Sequence, residues 1–201
     1  MTTTITPAHD PRPLALSDYR FTVAQYHRLV DAGILKEGER VELLEGRLVN
    51  KMPQRPPHAG TMLRLNRRLP RWLTDDWLVR SHLPILLRDS EPEPDFAIVR
   101  APEDTWDLRH PKPDEVALLI EVADSTLADD RLVKGRIYAR ARLVEYWIVN
   151  LVDSQVEVYT DPRGGKAPAY RQRRDYGKKD EIPLRLAGVL IRTIPVRDML
   201  P

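Results

Sequence analysis

Residues 116–122 read Val-Ala-Leu-Leu-Ile-Glu-Val, apolar at every position but one. A strand that is apolar on both faces belongs inside a sheet covered on both sides, so the segment predicts an α/β architecture. The exception is Glu121. A carboxylate on a buried strand is costly unless it is paired or holds a cation. A second such acid stands upstream, in Glu93-Pro94-Asp95-Phe96-Ala97-Ile98-Val99. Here two prolines at 92 and 94 enforce an extended approach to a strand over 95–99. Downstream, Asp124-Ser125-Thr126 supplies caps for a helix that starts at Asp129 or Asp130, runs to about Arg142 and carries Lys134.

If the two strands are neighbours, Asp95 and Glu121 converge. Two hard oxygen ligands, completed by backbone carbonyls and water, suit Mg²⁺ or Mn²⁺. Lys134 on the following helix then points back toward the same ion. The ordinary reading of the same side chains is two strand-end caps and a solvated lysine, and spacing alone does not choose between them.

The rest of the chain frames this pattern. At 201 residues it suits one domain, expected over 18–201, after a loose Thr- and Pro-rich tail over 1–17. Thr22 and Gln25 form a capping-box signature for a helix bearing Tyr26, Leu29 and Val30, with Gly33 at its C-terminal end. Val41–Val49 reads as a hairpin turning at Glu45-Gly46. A helical pattern follows from His58 to Thr74, with Pro70 expected to kink or divide it. Residues 77–79 and 83–87 look like strands. Val144–Asn150 is a buried-type strand, paired as a hairpin with Gln155–Thr160, in which Val156 and Val158 face inward and Glu157 and Tyr159 outward. Leu132, Val133, Ile137 and Tyr138 are the expected inner stripe of the helix after Glu121. Residues 161–167 read as a turn and those from Tyr170 on as polar. Short strands close the chain over 182–191.

Composition excludes several chemistries. With no cysteine there are no disulfides, thiol nucleophiles or thiolate metal sites. That is compatible with a reducing cytoplasm, the expected location. No apolar run approaches the roughly 18 residues of a membrane span, and Met1–Pro13 does not read as a secretory signal. The net charge of +2 says little about a polyanion partner. Arginines 64, 67, 68 and 71 on one segment say slightly more, although a solvated face is the commoner explanation of such clusters.

Taken together, Val41-Glu42-Leu43-Leu44-Glu45-Gly46, His58, Glu93-Pro94-Asp95, Leu119–Thr126, Asp130, Lys134, Tyr138 and Glu145–Val149 resemble the Uma-type restriction endonucleases of the PD-(D/E)XK nuclease superfamily. The resemblance covers roughly residues 20–160. It implies a mixed central β-sheet flanked by helices with additional hairpins, and a Mg²⁺-dependent endonuclease acting on DNA. Asp95 and Glu121 are then the metal ligands, with Glu42 completing the shell directly or through water. Lys134 takes the role of the lysine that normally lies two residues beyond the acid, where this chain has Ala123. A second departure is Ala123-Asp124, where relatives more often show Ser-Pro. His58, Arg64, Arg68 and Tyr138 are candidate substrate contacts. Cutting both strands of a duplex makes a homodimer plausible, with residues 144–160 as candidate contact. The competing hypothesis is a catalytically inert nucleic-acid-binding or structural module that keeps the fold.

Overall fold

A computed structural model describes residues 18–36 and 38–201; the tail expected over 1–17 lies outside them. Helix α1 (Val23–Asp31) begins with the capping box of Thr22 and Gln25, and Gly33 closes it at positive φ. Strands β1 (Val41–Leu44) and β2 (Arg47–Asn50) form the hairpin. Glu45 and Gly46 both have positive φ, which a tight two-residue turn requires.

Gly46 is also crowded. A Cβ there would lie 2.9 Å from both Arg20 Cβ and the Phe21 carbonyl oxygen. Gly46→Ala therefore combines an unfavourable φ with a clash. It is expected to cost about 1–3 kcal/mol, read as a lower midpoint in thermal or urea unfolding. An unchanged midpoint would show that the turn adjusts freely.

Helix α2 (Pro56–Trp72) is continuous and starts two residues earlier than expected. Pro70 does not divide it. The proline falls in the last turn, so few backbone bonds beyond it are at stake. Met62, Leu65, Leu69 and Trp72 are its buried stripe.

The main sheet contains β3 (Trp77–Ser81), β4 (Phe96–Arg100), β5 (Val116–Ala123), β6 (Glu145–Asn150), β7 (Gln155–Arg163) and β8 (Ala169–Gly177), side by side in that order. Only β5 and β6 run parallel. Their crossover is helical: α3 (Leu127–Asp129), a π-helical segment (Asp130–Lys134) and α4 (Gly135–Arg140). The last hairpin, β9 (Glu181–Leu186) with β10 (Val189–Pro195), covers one face of the sheet together with α2. The crossover covers the other.

Alternation along β4 and β5 sorts side chains between the two cores. Phe96, Ile98, Leu118, Ile120 and Val122 face α2. Ala97, Val99, Leu119 and Ala123 face the crossover. Asp95 and Glu121 continue this second set.

Several expectations are corrected. Residues 83–87 form no strand: Pro84 lacks an amide donor, and Ile85, Leu86 and Leu87 bond to Pro92, Pro111 and Ser90 in loops. The polar stretch from Tyr170 is strand β8, and β7 runs on to Arg163, because Gly164-Gly165 confines the turn. Leu132 is 73% exposed because the π turn rotates it off the inner stripe that Ile137 and Tyr138 occupy. Glu157 is fully buried, since the crossover covers the face to which it points. Strands β6 and β7 are paired along both edges, and the free edges of the main sheet are β3 and β8.

Glu145 shares the α2 side with Trp147, whose indole N–H donates to it at 2.7 Å. Burial pushes its carboxyl up to about 7, against the pull of that bond and of Arg185. An unfolded glutamate titrates near 4.3. The folded state therefore carries a penalty that is absent below about pH 4, grows as pH rises and is complete above about 7. Glu145→Gln keeps an acceptor for Trp147 and removes the charge. At pH 8 its Tm should exceed that of the wild type by about 2–4 °C, the shift about 1 kcal/mol gives a chain of this size. At pH 4 the two should melt alike. Equal Tm at pH 8 would contradict the buried-carboxyl reading.

Candidate active site

The antiparallel register of β4 and β5 pairs Phe96 with Ile120, so Asp95 and Glu121 lie opposite one another one step further along. The Asp95 amide donates to Glu121 Oε2 at 3.3 Å, and the Val122 amide donates to Asp95 Oδ2 at 2.8 Å. Both carboxylates are nearly buried at the floor of a cleft of about 580 Å³, walled by the β1–β2 hairpin, the start of α2 and the π segment.

Lys134 reaches the floor from the π segment. Its ammonium donates to Glu121 Oε1 at 2.9 Å and stands 3.8 Å from Asp130 Oδ1. Tyr138, one turn on, donates its hydroxyl to the same Glu121 oxygen at 2.7 Å. The i→i+5 bond from the Gly135 amide to the Asp130 carbonyl widens the helix here. Such turns recur at functional sites.

Glu42 projects from β1 into the cleft and is buried, accepting from the Glu93 amide at 3.1 Å. Glu45, in the turn, pairs with Arg136 and Arg140. His58, in the first turn of α2, places Nε2 3.1 Å from Asp95 Oδ2. His82, to which sequence assigned no role, places Nδ1 3.6 Å from the other oxygen, Oδ1. It sits in the left-handed region with its amide donating to the Asp95 carbonyl at 3.2 Å. Asp95 thus lies between two imidazoles. A lone histidine after β3 carries no motif, so only the β3–β4 register could reveal it. Arg64 and Arg68 are not brought into the cleft; Arg68 pairs with Asp198 at 2.7 Å. Basic residues that do line it include Arg40, Lys51 and Arg136.

The electrostatics describe excess negative charge around one ammonium. Burial raises Glu121 to about 7; Lys134 pulls it down, and Asp95 and Asp130 push it back up. Burial likewise raises Asp130, to about 6. For Lys134, burial lowers the pKa, but Glu121, Glu42, Asp130 and Asp95 more than offset this and hold it well above the ordinary lysine value. Asp95 is held below its ordinary value: burial opposes ionisation, and His58, Lys134 and the Val122 amide outweigh it.

A hard dication fits this donor set. Two carboxylates share one cleft floor, and a cation there would offset both the burial that chiefly raises Glu121 and Asp130 and the smaller repulsion from the neighbouring acids. Among the described residues no three Asp, Glu or His side chains already form a metal-binding group. An ion held by Asp95 and Glu121 would therefore draw the rest of its shell from water, backbone oxygens or Glu42, which lines the same cleft.

The fold and its acidic cleft define a restriction-endonuclease-like α/β protein. The Uma2 family, described as "Putative restriction endonuclease", matches residues 23–192, and the chain belongs to that family. Among solved structures it is similar to "a putative nuclease belonging to DUF820" from Anabaena variabilis ATCC 29413. That likeness has a TM-score of 0.60 and 14% identity, and covers 89% of this chain and 97% of the other. It shows a shared fold. No curated protein matches the sequence. Among the described residues, no helix is long and apolar enough to cross a membrane.

Proposed function

We propose that the protein is a Mg²⁺- or Mn²⁺-dependent endonuclease that hydrolyses phosphodiester bonds in DNA. The observation that carries this reading is the convergence of Asp95 and Glu121 on one cleft floor with Lys134 beside them. Asp95 and Glu121 hold the cation, and Glu42 completes the shell, directly or through water. When bound, the dication lowers the pKa of a coordinated water and offsets charge on the phosphate.

Lys134 stays protonated amid the surrounding acids, so it is not the general base. It orients the attacking water and neutralises charge that develops on phosphorus-bound oxygen. Tyr138 fixes the Glu121 oxygen that Lys134 also contacts. His58 orients Asp95. Water adds to phosphorus and gives up its proton to solvent, while the P–O bond to the leaving sugar breaks and that sugar oxygen takes up a proton from solvent. Arg40 and Arg136 on the cleft wall suit the flanking phosphates, and Arg64 and Arg68 a longer duplex. A homodimer would bring two sites to the two strands.

The test is conversion of supercoiled plasmid to nicked and linear forms. Cleavage is expected with Mg²⁺ or Mn²⁺ and none after chelation with EDTA. Cleavage that survives complete metal removal would overturn the mechanism.

A further inference from the structure

Glu157 is fully buried, lies outside the cleft and has no part in the chemistry above. Its carboxylate accepts from Arg131 Nε at 3.1 Å and Nη2 at 2.5 Å, from Asn150 Nδ2 at 2.7 Å and from the Tyr159 hydroxyl at 2.6 Å. The Arg173 guanidinium stands 3.2 Å away. Burial opposes its ionisation, but Arg131, Tyr159, Asn150 and Arg173 outweigh it and hold the carboxyl down at about 2; the pairing serves stability, and its position in the sheet asks for a further reason.

The sheet register supplies one. Glu121 pairs with Ile148 across β5 and β6, and Ile148 pairs with Glu157 across β6 and β7. Glu121 and Glu157 therefore occupy one row on one face, two strands apart and separated by Ile148. The π segment spans that row. Arg131, in its first turn, grips Glu157 with a two-nitrogen fork, and Lys134, its last residue, grips Glu121. One short helical segment thus stands on two buried carboxylates. The Glu157 contact is satisfied from five side chains, Gln155 being the fifth at 3.5 Å, and is closed to the cleft. The Glu121 contact is the one a cation must share.

We propose that Glu157 is a positioning residue: through Arg131 it fixes the register of the π segment and so aims Lys134 into the cleft. This rests on the nuclease reading for its consequence in turnover, but not for its consequence in the position of Lys134. When Glu121 turns its oxygen to another ligand, Lys134 loses its strongest partner. The Arg131–Glu157 anchor then keeps the ammonium where water and phosphate meet.

The test uses the full chain and Glu157→Gln, which keeps the shape and most acceptors but ends the ion pair. Acetylation of individual lysines by an N-hydroxysuccinimide ester, read by peptide mass spectrometry, reports the position of Lys134 without any activity. The variant is expected to label Lys134 several-fold faster than wild type while other lysines keep their rates. Its kcat on plasmid is expected to fall by about 10- to 100-fold, the scale of a misplacement of about 1 Å. KM and Mn²⁺ affinity by calorimetry should be unchanged. The double variant Arg131→Gln/Glu157→Gln, which leaves no unpaired buried charge, should regain stability but neither kcat nor slow labelling.

If Glu157→Gln does not fold, Arg131→Lys keeps a cation at Glu157 without the fork and should show the same faster labelling. Wild-type labelling and wild-type kcat in folded variants would overturn the proposal and make Glu157 a stability residue only. Altered labelling in a chain without nuclease activity would keep the positioning role and overturn the reaction instead.

Discussion

Asp95→Asn and Glu121→Gln are each expected to lower plasmid nicking by about a thousandfold or more, the loss of several kcal/mol of charge stabilisation at phosphorus. Neither should unfold the protein. In Glu121→Gln the amide oxygen can still accept from Tyr138 and Lys134, and Lys134 keeps Asp130 within reach. The cluster also loses one of its excess negative charges. At pH 8 the Gln variant should therefore melt no lower than wild type while its activity is gone, because the charge that strains the fold is the charge the reaction uses. In Asp95→Asn one oxygen can still accept from the Val122 amide. Nicking at wild-type rates in either variant would remove both residues from the chemistry.

Lys134→Met should act on stability and activity together, with a pH signature. Lys134 is the ammonium nearest to Glu121 and Asp130, both buried. Removing one partner of a buried ion pair costs about 3–5 kcal/mol, and this cost should be seen at pH 8. Glu121 at about 7 and Asp130 at about 6 already lie above their unfolded values. The charged forms of both acids are penalised in the folded state, so that penalty is absent below the unfolded pKa and complete above the folded one. Without Lys134 both values rise further. The gap between variant and wild type should therefore be widest at pH 8 and close toward pH 5, where both acids take up protons. Mn²⁺ at pH 8 should also narrow it, since the acids left without Lys134 bind the dication more tightly than in the wild type and so gain more stability from it. Even when folded, the variant should turn over about 100- to 1,000-fold more slowly, the range for loss of one preorganised charge-stabilising donor. Urea unfolding at pH 5 and pH 8 checks the stability arm. A pH-independent gap would show that Lys134 does not neutralise these carboxylates.

The parts of this site that could be read from sequence are those governed by local pattern. The apolar run around Glu121 marks a central strand because burial on both faces leaves no other pattern. Asp95, set off by Pro94, marks its partner. Thr22 with Gln25 and Glu45-Gly46 mark a cap and a turn through backbone chemistry that needs no tertiary context. What local pattern does not encode depends on registration between distant segments. His82 reaches Asp95 only because β3 pairs with β4 at Ser81 and Phe96. Glu157 reads as outward-facing by alternation, and only the crossover makes that face interior. The π turn is invisible to a period of 3.6, so that period puts Leu132 inside whereas the fold leaves it in solvent. β8, rich in arginine, lacks the apolar alternation of a half-buried strand and forms because β7 offers it an edge.

The most direct measurement is anomalous diffraction from crystals soaked in Mn²⁺. The expected result is a peak between the carboxylates of Asp95 and Glu121, with the Lys134 ammonium still inside the cleft. Absence of a peak there at saturating Mn²⁺, with Lys134 remaining closed on Glu121, would contradict a shared cation and the nuclease chemistry built on it.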